Sequence, residues 1–264
     1  MTEQRATPMK RFHRRGPQHR QAHEVSFLDI RRRFNFRSVA LGRWVTEPEK
    51  QRAAGLFYDA LCDLMAILKG PEALVSLRGT LALHYGIGGQ LGVAAHYTPA
   101  TRTFALAKNA GPGSIAHEWF HAFDHYIGDK AFSGVSASRF GSKAWLGETS
   151  MISHRLNNKL AQCYQAVMLS ADGTGPSECF RHSVKRDKTL GTVYYSQPEE
   201  LCARAFEAFV QDAEIKNAFL VNGTVASEDA GLGLYPQAEQ RQRTNAAFGA
   251  YFGDLGRALS VASA

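Results

Sequence analysis

No stretch of about 18 consecutive apolar residues occurs in this 264-residue chain, so a membrane-spanning helix is not expected. The basic beginning lacks the apolar core that follows the charged start of a secretory signal. A cytoplasmic protein with no membrane partner is therefore the expectation. Cysteine is scarce. The four present, Cys62, Cys163, Cys179 and Cys202, form no CxxC pair or other metal-like spacing, which argues for free thiols rather than a disulfide framework or a thiolate metal site. Internal repeats are lacking, as are low-complexity tracts beyond the basic start.

Acids are short in one region. Residues 1–37 hold ten Lys/Arg against three acids, whereas the rest of the chain carries 21 of each, so the net charge of +7 lies at the beginning. Residues 1–23 also contain three histidines and few large apolar side chains, the composition of a disordered or only partly ordered arm. Extended by Arg31-Arg32-Arg33, residues 1–37 are a candidate for binding DNA or RNA phosphates, and equally a solubilising tail. With 44% hydrophobic content, residues 24–264 can bury the core of a single elaborated domain.

What the chain does contain is His117-Glu118-Trp119-Phe120-His121, an HExxH motif. Positions four apart on an α-helix differ by about 40° around the axis, so both imidazoles leave one face. Two imidazoles so placed can hold one Zn²⁺, and Glu118 beside them can activate the attacking water without ligating. Gly111-Pro112-Gly113-Ser114 reads as a helix start with Ser114 as N-cap. Apolar residues from Ile115 to Ile127 surround the rest of the cylinder and predict a buried helix. Asp124, one turn beyond His121, suits a carboxylate that orients an imidazole.

A catalytic zinc usually takes three protein ligands and keeps one position open. The metzincin pattern is rejected: its third histidine would fall on Ile127, and its glycine on Asp124. His125 is rotated off the metal axis. A later segment, Pro198 to Val210, opens with proline and acids in its first turn and reads as a helix. Glu200, Ala203, Arg204 and Glu207 share one face there, with a small residue at 203 to allow close approach. Glu200 is assigned as third ligand, with Glu207 as competitor. Tyr194 and Tyr195 precede this helix. A phenol there can donate to the oxyanion that develops when water attacks a carbonyl, and Tyr195 is preferred as the nearer to the helix start.

These blocks resemble a known family. Phe34-Asn35-Phe36-Arg37 with Leu41-Gly42-Arg43-Trp44-Val45, Gly86-Ile87-Gly88-Gly89 with Ala95-His96-Tyr97, the HExxH helix and Tyr194 to Glu207 are similar to large polyvalent protein-associated domain 1 of phages and conjugative elements. They also resemble the bacterial CLCA-X family. Ala122-Phe123-Asp124 and Glu200-x-x-Ala203-x-Ala205-Phe206 look like the helix pair of the anthrax lethal-factor group of gluzincins, which supports Glu200 over Glu207. That group carries an acid four residues after the ligand, where this chain has Arg204, so Asp124 or Glu207 would have to contact the histidine. The resemblance implies a zincin-like metallopeptidase fold.

The remaining pattern predicts a helix over Val25–Arg33, an extended Phe34–Val45, and a helix from Glu47 to about Leu68. Short strands follow at Leu74–Leu77, Leu81–Tyr85, Val93–Tyr97 and Thr103–Ala107, with His96 structural. A long loop over 128–149, a helix over about 150–170, an irregular segment from Gly173 to Leu190 and a last helix over Ala238–Leu259 complete the pattern. The expected architecture is α+β: a small mixed sheet packed on the HExxH helix, with a mainly helical C-terminal part. The expected function is Zn²⁺-dependent hydrolysis of a protein or peptide, with Glu118 and Tyr195 catalytic and His117, His121 and Glu200 on the metal. The rival is a nucleic-acid-associated accessory protein of a mobile element, its zincin fold serving as scaffold.

Overall fold

The computed structural model describes residues 12–20, 23–87, 95–108 and 113–262. Residues 1–11 and 21–22 of the expected arm, Gly88-Gly89, Val93 and Gly111-Pro112 lie outside the described residues.

The elements run β1 (Arg14–Arg15), α1 (Phe27–Phe34), β2 (Ser38–Leu41), α2 (Glu47–Leu68), α3 (Glu72–Val75), β3 (Ala82–Tyr85), β4 (Ala95–Thr98) and β5 (Thr103–Leu106). The helical part follows as α4 (Ser114–Ala131), α5 (Gly141–Leu146), α6 (Arg155–Met168), α7 (Glu178–Leu190) and α8 (Pro198–Asp212). The short β6 (Lys216–Asn217), α9 (Glu228–Gly231) and α10 (Ala238–Ala262) end it. This is a mixed α+β architecture, mostly helical with a small sheet.

Local chemistry explains many of the boundaries. Ser26 and Asp29 close a capping box at the start of α1, and Glu49 accepts from the Thr46 N–H and hydroxyl at 2.9 and 2.8 Å at the start of α2. Each satisfies donors that an open helix end would leave unpaired. Leu74–Leu77 is not the expected strand. Residues 72–75 are helical, and Leu77 and Arg78 take left-handed backbone at φ 53° and 57°, which no extended segment accommodates.

The sheet has strand order β2-β3-β5-β4. The first three strands are parallel and β4 runs antiparallel at the edge, with Ala40, His84, Ala105 and His96 in register across it. Leu83, Phe104 and Leu106 are buried in the core together with Phe57 and Leu61 of α2. The second part of the core is aromatic. Trp119, Phe120 and Phe123 of α4 meet Phe206 of α8 and Phe248 and Phe252 of α10, with ring centroids 4.9 to 6.0 Å apart across the helices. The Trp119 indole donates to the Val75 carbonyl at 2.9 Å. Burial of each such ring is worth about 1.5–3 kcal/mol, so the seam fixes α4 against α8.

Within the basic arm, residues 12–20 have ordered contacts with the rest of the chain. Arg14–Arg15 pair antiparallel with Lys216–Asn217, and Phe12 packs on Phe219 at 5.1 Å. Arg14 and His19 both bind buried Asp63, and Arg20 binds Asp59. The acids of α2 supply a docking site that composition alone does not reveal.

Candidate metal centre

The HExxH helix begins one residue off its expected cap. Gly113, not Ser114, is the N-cap, at φ 99°, and a Cβ there would lie 2.6 Å from the Asn222 nitrogen. Left-handed backbone and close approach both call for glycine. With Ser114 as the first helical residue, a free N–H of the first turn is met from elsewhere, Ala116 donating to the Leu220 carbonyl at 3.0 Å. Ala203 is fully buried on α8, and the two helices come close enough for their polar groups to converge.

His117, His121 and Glu200 converge. One ligand atom from each lies within 4.8 Å of the others. The two Nε2 atoms are 2.9 Å apart, and the Glu200 carboxylate reaches His117 Nε2 at 3.3 Å and His121 Nε2 at 3.2 Å. Glu207, the competing ligand, lies on the other side of His117: its carboxylate accepts from Nδ1 at 2.9 Å. Tyr235 donates to the same Glu207 oxygen at 3.4 Å. The motif spacing gave no hint of Tyr235, which is 28 residues beyond Glu207.

The donor set fits a Zn²⁺ ion. Borderline Zn²⁺ accepts both imidazole nitrogen and carboxylate oxygen, and atoms about 2.0–2.1 Å from a tetrahedral ion stand roughly 3.3 Å from one another. Hydrogen bonding within the cluster leaves it incomplete: the two Nε2 atoms face each other, and Glu200 Oε2 is buried with no hydrogen bond, His117 Nε2 standing 3.3 Å away. Electrostatics favour a cation at this point. Burial works against charge on His117, but Glu207 and Glu200 outweigh it and raise its pKa well above the usual histidine range. Burial likewise raises Glu200, yet the two imidazoles overcome it and hold the carboxyl far below its ordinary value. The Nδ1–H···Glu207 bond fixes the tautomer that leaves Nε2 free to ligate.

The tyrosines are arranged differently from expectation. The Tyr194 phenol, not that of Tyr195, faces the carboxylates. Burial, followed by the negative charge of Glu200 and then of Glu118, pushes its pKa well up. Tyr195 instead turns its ring to the guanidinium groups of Arg204 and Arg186, at 5.5 and 5.9 Å. Arg204, in place of the acid expected from the lethal-factor group, is buried and donates to the carbonyls of Leu234 and Tyr195 and to Ser183 Oγ.

Asp124 does not bond an imidazole. It accepts from the Ser142 N–H at 2.9 Å, the Ser142 hydroxyl at 2.5 Å and the Tyr164 hydroxyl at 2.6 Å, and so ties α4 to α5 and α6. Complete burial, only partly offset by these donors, raises its pKa. His125 accepts or donates at Nδ1 with the Tyr97 hydroxyl, 2.8 Å away, and packs on Phe140. His96 is exposed on the edge strand. Among the described residues, His117, His121 and Glu200 are the group that could hold a metal.

The family model of large polyvalent protein-associated domain 1 matches residues 186–259. The match spans the end of α7, α8 with Glu200 and Glu207, Tyr235, and most of α10; it does not include the HExxH helix. The resemblance expected from Phe34 to Phe209 is thus found in its last part and continues beyond it. No curated protein matches the chain, and no solved structure does.

Proposed function

We propose that this chain is a zinc-dependent metallopeptidase of gluzincin type, in which His117, His121 and Glu200 hold one Zn²⁺ and Glu118 is the general base. The observation that carries the reading is the convergence of two imidazole Nε2 atoms and a carboxylate at ligand-edge distances, with a glutamate adjacent to the first imidazole on the same helix. A bound Zn²⁺ supplies Lewis acidity toward a water and a carbonyl oxygen. Glu118 takes the proton of the attacking water and returns it to the leaving amine. Tyr194, rather than Tyr195, donates to the oxyanion. Glu207, supported by Tyr235, keeps the His117 ring in place.

The zincin-like fold belongs to the same proposal, supported by a small mixed sheet beside an HExxH helix. The matched family suggests a setting in mobile elements; a protein or peptide substrate follows from the proposed chemistry alone. The nucleic-acid reading has less support, because Arg14, Arg20 and Arg33 of the basic region are engaged with Asp63, Asp59 and Glu72.

Elemental analysis of purified protein should find one Zn²⁺ per chain. Glu118→Gln, nearly isosteric and outside the ligand set, should keep that metal and lose roughly 10²–10⁴-fold in peptide hydrolysis, read in a proteome-wide cleavage assay. Protein that carries no metal and takes up none when Zn²⁺ is added defeats the reading. A Glu118→Gln variant that cleaves as fast as wild type defeats it as well.

A further inference from the structure

The segment between α7 and α8 carries Tyr194, yet it has no regular structure to hold it. Two buried charged side chains hold it instead. Asp187, in the last turn of α7, accepts from the N–H groups of Tyr194, Tyr195 and Ser196 at 3.0, 2.9 and 2.8 Å and from the Ser196 hydroxyl at 2.6 Å. From the opposite side Arg204 donates to the Tyr195 carbonyl and also to Ser183 of α7. Asp187 and Arg204 are 4% and 3% exposed, so neither interaction is weakened much by water. Tyr195 completes the arrangement with its ring against Arg204. The clamp thus fixes the backbone on both sides of the Tyr194 side chain, which remains 46% exposed toward solvent.

From these contacts we infer that Asp187 is a positioning residue: it sets the Tyr194 phenol at Glu200 and Glu118, with Arg204 as the second jaw. Asp187 itself touches neither the metal ligands nor any reacting atom. The inference rests on the metallopeptidase reading and adds to it the device that places the oxyanion donor.

The test uses full-length, zinc-loaded protein and acetohydroxamate, whose oxygens bind zinc and can accept from a nearby phenol. Affinity for this probe, zinc affinity and thermal stability are measured together. Tyr194→Phe should weaken acetohydroxamate about tenfold, the effect of one hydrogen bond to a charged oxygen. Asp187→Asn should weaken it by about the same factor with zinc affinity unchanged. It should add nothing further in the Tyr194→Phe background, because both variants remove the same contact. Asp187→Asn that lowers stability but leaves probe affinity intact, or whose loss adds fully to that of Tyr194→Phe, overturns the inference. If Asp187→Asn does not fold, Ser196→Ala decides. It should weaken the probe about threefold in the wild-type background and not at all with Tyr194→Phe; no change in either background overturns the inference. A wild type that binds no Zn²⁺, or binds Zn²⁺ but no acetohydroxamate, defeats the metallopeptidase reading and this inference with it. Unchanged variants of a probe-binding wild type defeat this inference alone.

Discussion

Two buried charged clusters in this molecule contrast in one respect. Around Asp63, both carboxylate oxygens are occupied: Arg14 binds from Nε and from its terminal nitrogen at 2.7 Å each, His19 at 2.8 Å and Asn217 at 2.8 Å. Around His117, His121 and Glu200, two nitrogens face each other, and His121 Nδ1 and Glu200 Oε2 are buried without a hydrogen bond. A group taken from water needs replacement partners. The first cluster contains its own and is structural. The second does not, and the metal site proposed above rests on that difference. Completeness of hydrogen bonding therefore separates the two better than burial or residue type, since both combine histidine with buried acid.

The largest expected effect tests the second cluster. His121→Leu should abolish zinc binding and with it any rise in melting temperature on adding Zn²⁺, while metal-free stability falls by less than the Asp63 substitution below costs, because Glu200 keeps His117 as a partner. A large destabilisation of the metal-free variant would show that the imidazole is a structural partner and remove the contrast. Next, Asp63→Ala should cost about 3 kcal/mol in urea unfolding with or without zinc, at the low end for a broken buried pair because Arg14 is partly exposed. Equal stability would mean that the satisfied cluster contributes nothing.

Smaller effects sharpen the ligand assignment. Glu200→Ala should lower zinc affinity more than Glu207→Ala, whose cost through the His117 ring should be about 10–100-fold. The reverse order, read by competition with a zinc dye, would move the ligand to Glu207. The pH dependence follows from His117. Its folded pKa is raised above the usual 6.5, so its contribution to metal-free stability is fully present below that value and is lost as pH rises through the folded value. Melts with chelator should therefore fall in the alkaline direction, and zinc binding near neutrality should release a proton, visible as a buffer-dependent heat. No proton release would mean that His117 is already neutral.

The pairing of His117 with His121 was legible because HExxH is a local code: a four-residue step on one helix needs no knowledge of the rest of the chain. Glu200 could be reached because its helix has its own start signal in Pro198 and two acids. The misplacements share a physical cause. Asp124 was given to an imidazole because its partners, Ser142 and Tyr164, lie 18 and 40 positions away. Tyr195 was preferred by its distance along the chain, whereas the turn clamped by Asp187 presents Tyr194. Gly173 to Leu190 read as irregular because the buried face of α7 is Cys179, Ser183 and Asp187, a helical spacing without the apolar side chains that reveal it. In the predicted loop over 128–149, helix α4 continues to Ala131 and α5 occupies Gly141–Leu146. The α2 helix, bounded by a capping box and carrying an apolar stripe, was legible from end to end.

The docked N-terminal strand has a further consequence. Residue 14 pairs with residue 217, Ala218 donates to the His13 carbonyl, and the next two carbonyls, of Phe219 and Leu220, receive the N–H groups of Gly113 and Ala116. The earliest described part of the chain is thereby spliced to the front end of the HExxH helix through one intervening peptide segment. Shortening the protein to residue 24 would take away Arg14 and His19, leave Asp63 buried without those two partners, and slacken the segment on which that helix begins. A loss of function after such trimming would thus report a loosened seat for His117, whatever the basic arm touches outside the molecule.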